Sequence, residues 1–319
     1  MENVEKGAGK ERQESREGKE GGRGSMILTE IYERTVQTGI GHSSKGNQLK
    51  WFQDGWWYKA DGFGFESLAE TVVSTLLEHS ALRESYKYDF VRYEPVMIRY
   101  KGQDYRGCRS RNFKGKTEEL VPLERLSRIY TGFSLAEELA RIADMKQRIV
   151  YTEKLVRNVT GMADFGVYLT RMLEIDAFFL NEDRHTNNIA VLYDTETKKW
   201  RLCPFFDMGL SLFSDTREDY PLEKSFAECR EHVLAKPFSS DFDEQLDAAS
   251  ELYGTFLKFD FPAGRIMETL GQDLTWMAYS QMENSEEKIR DPFPYTPEEV
   301  SRVEEALRYQ ARKYRYMFP

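Results

Sequence analysis

The stretch Asn181-Glu182-Asp183-Arg184-His185-Thr186-Asn187-Asn188 comes straight after a long apolar segment. From about Ala163 to Leu180 that segment reads as one helix, with Tyr168, Leu169, Met172, Leu173, Ile175, Phe178 and Phe179 on a broad apolar face. A helix end followed by Asn, Asp, Arg and His is a poor choice for a core and a good choice for a loop that does chemistry, held by a rigid element. Asp183 and Asn188 stand five residues apart. A carboxylate at the first position can orient a hydroxyl for attack on a phosphoryl group, and an amide oxygen at the second can ligate Mg²⁺.

Working outward, Ile189 to Tyr193 and Trp200 to Phe206 read as two strands around a polar turn, Asp194 to Lys199. Asn188 starts the first strand, and Asp207, in Pro204-Phe205-Phe206-Asp207-Met208-Gly209, lies just past the second. Antiparallel pairing returns both to one end of the hairpin, so Asp207 can share a metal with Asn188 although 19 residues separate them. Gly209 lets the chain turn away sharply.

Asp-Arg-His-x-x-Asn followed by a hairpin and Pro-Phe-Phe-Asp-x-Gly resembles the HipA-like serine/threonine kinases, including their short single-chain bacterial relatives. It is also similar to the phosphoinositide-kinase-like branch of the same superfamily. The resemblance implies Asp183 as catalytic base, Asn188 and Asp207 as Mg²⁺ ligands, and ATP as phosphoryl donor. Arg184 is expected to steady the loop or the developing charge, and His185 to be a structural hydrogen-bonder beside Asp183. Asp164-Phe165-Gly166 spells the metal-binding triplet of ordinary protein kinases, but the metal Asp should follow the base across a hairpin. Asp164 therefore reads as a first-turn acid favoured by the helix dipole.

Upstream, Leu49 to Gln53 and Trp56 to Ala60 are aromatic-rich runs around Asp54-Gly55, a strong hairpin signal. Before them lies Gly39-Ile40-Gly41-His42-Ser43-Ser44-Lys45-Gly46-Asn47-Gln48-Leu49-Lys50, whose glycines and hydroxyls suit a phosphate-holding loop. The resemblance extends here, since HipA-like kinases carry Gly-x-Gln-x-Lys in a Ser/Gly-rich loop. It implies nucleotide contacts from Gly41, Ser43, Ser44 and Gly46, with Ser43 or Ser44 as a candidate autophosphorylation site. Lys59, emerging from the aromatic strand, is placed to grip the α- and β-phosphates. Glu70, on a helix from about Phe65 to Glu78, is placed to pair with it, with Glu66 one turn earlier as the competing choice.

Tyr88 to Tyr100 reads as β-like, Ser134-Leu135-Ala136-Glu137 as a capping box opening one helix through about Val156, and Pro297 to about Tyr316 as a final helix with a core-facing stripe. Tyr105 to Lys116 interleaves bases with aromatics; it suits a hinge between lobes better than a nucleic-acid patch. Lys236, after Asp207, falls where a substrate-binding segment would lie and serves either to contact substrate or to cap a helix. His42, His79 and His232 lack metal-ligand spacing with any cysteine, so no zinc site is expected.

The chain has 319 residues, 40% of them hydrophobic and 13% aromatic, which suffices for a large interior. A net charge of −9 leans away from coating nucleic acid, so no direct nucleic-acid partner is expected. Three cysteines without a C-x-x-C pair fit a reducing cytosol, and no apolar run is long enough for a membrane span, so a cytoplasmic protein without a membrane partner is expected. Residues 1–25 carry six acids, six bases and no aromatic residue, and read as a disordered tail, with Met26 as an alternative start.

The expected architecture is α+β and bilobal, protein-kinase-like: a β-rich N-lobe from about residue 26 to 110 that binds nucleotide, and a larger, mainly helical C-lobe from 111 to 319. The expected reaction is ATP- and Mg²⁺-dependent transfer to a Ser or Thr hydroxyl of a protein substrate. Kinases of a lipid or other small molecule, and a non-catalytic nucleotide-binding module, stay open. HipA itself carries an additional N-terminal domain for which this chain has no room; that puts a toxin role in doubt, while a separately encoded, antitoxin-like partner stays open.

Overall fold

Asp54 and Gly55 both take positive φ, +52° and +81°, the backbone a two-residue hairpin turn requires. They join β2 (Lys50–Gln53) to β3 (Trp56–Ala60). The computed structural model describes residues 27–32, 48–82, 90–274 and 295–319. Gly41, Ser43, Ser44 and Gly46 lie outside the described residues, as do the 1–25 tail, Met26 and His42.

The first sheet has five strands in the order β1-β4-β5-β3-β2, with β1 (Ile27–Ile31), β4 (Glu94–Tyr100) and β5 (Gln103–Arg111) beside the hairpin. Among these strands only β1 and β4 pair in parallel. Of the β-like run predicted from Tyr88, the first two residues lie outside the described ones; from Phe90 on it is strand only from Glu94, because Phe90 and Val91 instead bridge to Phe205 near the end of the second hairpin. The predicted hinge over 105–116 needs a larger correction. Residues up to Arg111 form β5, an inner strand of the sheet, and only 112–117 link it to the next strand. Two of the bases there are spent on the sheet: Arg109 bonds Glu94, and Arg109 and Arg111 lie over the Trp56 ring.

Helix α1 (Glu66–Leu77) follows β3, and all twelve of its residues are buried. Leu68, Val72, Val73, Leu76 and Leu77 join the main core, whose centre lies in the C-lobe. Each such side chain contributes about 1.5–3 kcal/mol by leaving water, so α1 is part of the C-lobe's interior as well as of the N-lobe.

The second sheet is β6 (Glu118–Pro122), β7 (Ala190–Asp194) and β8 (Trp200–Leu202), antiparallel throughout. The helices that follow α1 are α2 (Leu123–Thr131), α3 (Leu135–Arg141), α4 (Met145–Thr160), α5 (Phe165–Phe179), α6 (Phe226–His232), α7 (Phe242–Tyr253), α8 (Ile266–Asp273) and α9 (Pro297–Lys313), of which α2 packs on β6 and α5 on α4 and α7. The single helix predicted from Ser134 is two. Ser134 caps the first by accepting from the Glu137 amide; the chain turns extended at Ile142, and Asp144 caps the second through Gln147. Asp164 is the N-cap position of α5 and not a first-turn residue. Leu180 ends α5 in the left-handed region, φ +57°, and starts the loop that carries Asp183.

Candidate active site

Lys59 sits at the centre of the interlobe cleft. Its Nζ donates to Glu70 Oε1 at 2.5 Å and to Asp207 Oδ1 at 2.6 Å, and lies 5.1 Å from the Tyr93 ring centre. Burial alone would lower the Lys59 pKa, but Asp207 and Glu70 outweigh it, so the ammonium is held well above its ordinary value. Glu70 Oε2 accepts from the Met208 amide at 3.0 Å, which ties α1 to the residue after Asp207. Glu66 is engaged elsewhere. Its carboxylate accepts from the amides of Gly62, Phe63 and Gly64, closing the turn between β3 and α1. Of the two acids weighed as the partner of Lys59, the structure places Glu70 there.

That turn is also where the lobes are fastened. Arg106 of β5 makes two bonds to Glu299 of α9, at 3.0 and 2.8 Å, and one to the Gly64 carbonyl at 2.6 Å. A Cβ on Gly64 would fall 2.1 Å from the Ser214 carbonyl, so the segment after Gly209 packs directly against it.

Arg184 is fully buried and spent within the protein. It bonds Asp176 of α5 at 2.9 and 3.0 Å, and through Nη1 the carbonyls of Asn188 and Phe206, each at 3.0 Å. One guanidinium nitrogen therefore bridges the start of the hairpin and the residue before Asp207, drawing the two ends together. Of the two roles expected of Arg184, its partners serve the steadying of the loop.

Asn188 Nδ2 donates to the Asp183 carbonyl at 2.8 Å and to Asp183 Oδ2 at 3.1 Å. The amide oxygen of Asn188 is thereby left as its potential ligand atom. His185 Nε2 is 3.7 Å from Asp183 Oδ1, and its Nδ1 accepts from the Asn187 amide. Asp207 has φ +61°, an uncommon conformation for a non-glycine residue. Burial pushes its carboxyl pKa up, yet Lys50 and Lys59 together hold it below the usual carboxylate range. Among the described residues no group of three His, Cys, Asp or Glu could hold a metal. An Asn oxygen and one carboxylate nonetheless suit a hard cation that completes its shell with phosphate oxygens and water.

Asp183 and Asp207 line one small pocket together with Gln48 and Lys50. Beside it opens a cavity of about 460 Å³, within the range of small-molecule sites. Lys50, Lys59 and Asp207 stand at one side of it, with Trp57, Phe113 and Phe206 among its apolar walls. Lys50, the lysine of the Gly-x-Gln-x-Lys match, has no role assigned from sequence; it pairs with Lys59 across the β2–β3 hairpin and lies 3.8 Å from Asp207. Asp164, at the start of α5, borders none of these cavities.

No protein-family model matches the sequence, and no curated protein matches it at a significant level. Solved structures do match. A Helicobacter pylori proinflammatory kinase, CtkA, superposes with a TM-score of 0.54 at 15% identity, covering 91% of this chain and 95% of that one. The chain shares the fold of that kinase. The HipA of a Shewanella oneidensis toxin–antitoxin complex gives a TM-score of 0.48 at 13% identity, over 82% of this chain and 59% of that one. A choline/ethanolamine kinase family protein from Mesorhizobium loti gives 0.24 at 16% identity, over 87% and 91%. The superposition on CtkA carries the fold, and the bilobal α+β architecture expected from the sequence is the one observed.

In this kinase-like frame the five-stranded sheet and α1 make the N-lobe, and the cavity beside Lys59 is the cleft between lobes. Lys59 and Asp207 line that cavity and Asp183 shares the adjoining small pocket with Asp207, while Glu70 bonds Lys59, Asn188 bonds Asp183, and Arg184 bonds the carbonyl before Asp207.

Proposed function

We propose that the protein is an ATP- and Mg²⁺-dependent phosphotransferase that phosphorylates a Ser or Thr hydroxyl of a protein. The observation that supports this best is the chain of contacts from Glu70 through Lys59 to Asp207, beside a pocket that Asp183 shares. In this reading the 460 Å³ cavity takes the nucleotide base between aromatic walls, and Lys59 holds the α- and β-phosphates while Glu70 fixes its direction. The Asn188 oxygen and the Asp207 carboxylate would hold Mg²⁺, which when bound neutralises phosphate charge. Asp183 accepts or orients the proton of the attacking hydroxyl. Arg184 acts through the others as a positioning residue.

Cytoplasmic localisation goes with this reading. The three cysteines are free and buried, and among the described residues no helix is long and apolar enough to cross a membrane. A separately encoded regulatory partner of antitoxin type belongs to the same proposal.

The test is a phosphotransfer assay with labelled ATP and intact-mass readout, run on wild type and Asp183→Ala with protein and lipid panels. Wild type transfers phosphate to a protein or to itself, and Asp183→Ala loses about 10²–10⁴ in turnover while staying folded. Equal activity in the variant would falsify the assignment of the base. Transfer only to lipids would replace the protein substrate, and binding of Mg-ATP without any transfer would make the protein a nucleotide-binding module.

A further inference from the structure

Two more cavities border the loop that carries Asp183. The first, about 410 Å³, is lined by Asp183 with Glu182, Glu218, Asp219, Lys224 and Lys236 among others. The second, about 430 Å³, is lined by His185 with Leu139, Ala140, Arg148, Lys236 and Pro237 among others. Lys236 lines both, so the two lie on either side of its side chain. Each alone has the volume of a small-molecule site. A small hydroxylated acceptor would need one of them. An extended peptide advances about 3.3 Å per residue, so a peptide whose hydroxyl reaches Asp183 has neighbouring side chains to place on both sides.

The two cavities differ in sign. The first has four carboxylates against two lysines and His232, whereas the second has Arg148, His185 and Lys236 and no carboxylate in its lining. Many of these groups are occupied. Glu182 accepts from the Tyr220 hydroxyl at 2.5 Å, Lys224 donates to the Asp219 carbonyl, and Arg148 donates to the carbonyls of Ile142 and Phe238. The side chains of Glu218, which is exposed, and Lys236 make no hydrogen bond or ion pair with another described residue. Both charges can meet a ligand, one on the acidic side and one at the boundary.

We infer that the phosphoacceptor lies in an extended peptide that carries a Lys or Arg side chain on the Glu218 side of its hydroxyl and none on the other. The inference rests on the phosphotransfer reading for what happens to the hydroxyl, but peptide recognition is a binding property and is measured without turnover. A base in the first cavity meets Glu218. A base in the second meets Lys236 and Arg148, and like charges brought together oppose binding.

The experiment is fluorescence anisotropy on the full chain with Mg²⁺ and a non-hydrolysable ATP analogue. Three labelled serine peptides are compared: one with Arg before the serine and Glu after it, one with the order reversed, and one with Gln at both places. One order should bind about tenfold or more tighter than the other, and Glu218→Lys should remove or invert that difference. Glu218 is exposed, so the variant should keep the wild-type melting temperature. Equal binding of the three peptides, binding of none, or a preference that survives Glu218→Lys overturns the inference. Phosphate transfer on the same peptides separates the two claims: order-dependent binding with no transfer overturns the phosphotransfer reading and leaves the groove standing.

Discussion

Two buried cation–carboxylate clusters sit close together in this protein, and they differ in how much water reaches them. Arg184 and Asp176 are sealed, with side chains 1% and 0% exposed. Lys59, Glu70 and Asp207 form the other cluster, where exposure rises from 1% at Glu70 to 11% at Lys59 and 24% at Asp207. In the sealed pair the donors are turned onto Asp176, two carbonyls and the Met208 sulfur. That pair can only hold the backbone. In the open cluster the exposed end faces a cavity, so its last member can exchange a protein partner for a ligand. Burial of charge thus marks both scaffold and site, and access decides between them.

The comparison is broken most severely at the sealed pair. Arg184→Ala leaves the Asp176 carboxylate buried without its cation and should cost about 3–5 kcal/mol of stability. Chemical denaturation measures this, and a loss below about 1 kcal/mol would mean that the pair is not sealed.

Glu174 sharpens the contrast, because its carboxylate is buried on the same helix and bonded to the backbone amides of Phe256 and Leu257. Burial pushes its pKa up to about 7, with those amides pulling the other way. The folded state therefore holds this proton more tightly than the unfolded chain. The stability from Glu174 is fully present below its ordinary value near 4.5 and is lost as pH rises through about 7. Relative to wild type, Glu174→Gln should gain stability across that window by about 2–3 kcal/mol. Melting curves that stay parallel from pH 4.5 to 7 would contradict it.

Asp164→Asn is the small-effect control. Its side chain makes no capping bond at the head of α5, so stability should stay within about 0.5 kcal/mol and turnover should be unchanged. An inactive variant would place the metal site at Asp164-Phe165-Gly166 instead.

Local signals were legible where one residue type forces one backbone. Asp54-Gly55 gave the first hairpin, and the polar turn from Asp194 to Lys199 between two apolar runs gave the second, although its second strand stops at Leu202, short of the expected Phe206. The first turn even dictated that Lys50 faces Lys59, since a two-residue turn at 54 and 55 pairs Gln53 with Trp56 and counts back to that pair. The break at Ile142 was harder, because the apolar spacing continues through it and only Asp144, as a cap, marks the restart. Arg184's burial had a weak signal in Glu174 and Asp176: charged residues inside an apolar helix need buried partners. The clasp between Arg106 and Glu299 joins positions 193 residues apart, and nothing local to either residue announces it.

The most direct measurement is calorimetric titration of ATP, with and without Mg²⁺, into wild type and Lys59→Met. The open cluster should give saturable, Mg²⁺-dependent binding in wild type, and Lys59→Met should lose it while remaining folded by circular dichroism. Equal binding by both proteins, or none by wild type, would contradict the assignment of this cleft to a nucleotide.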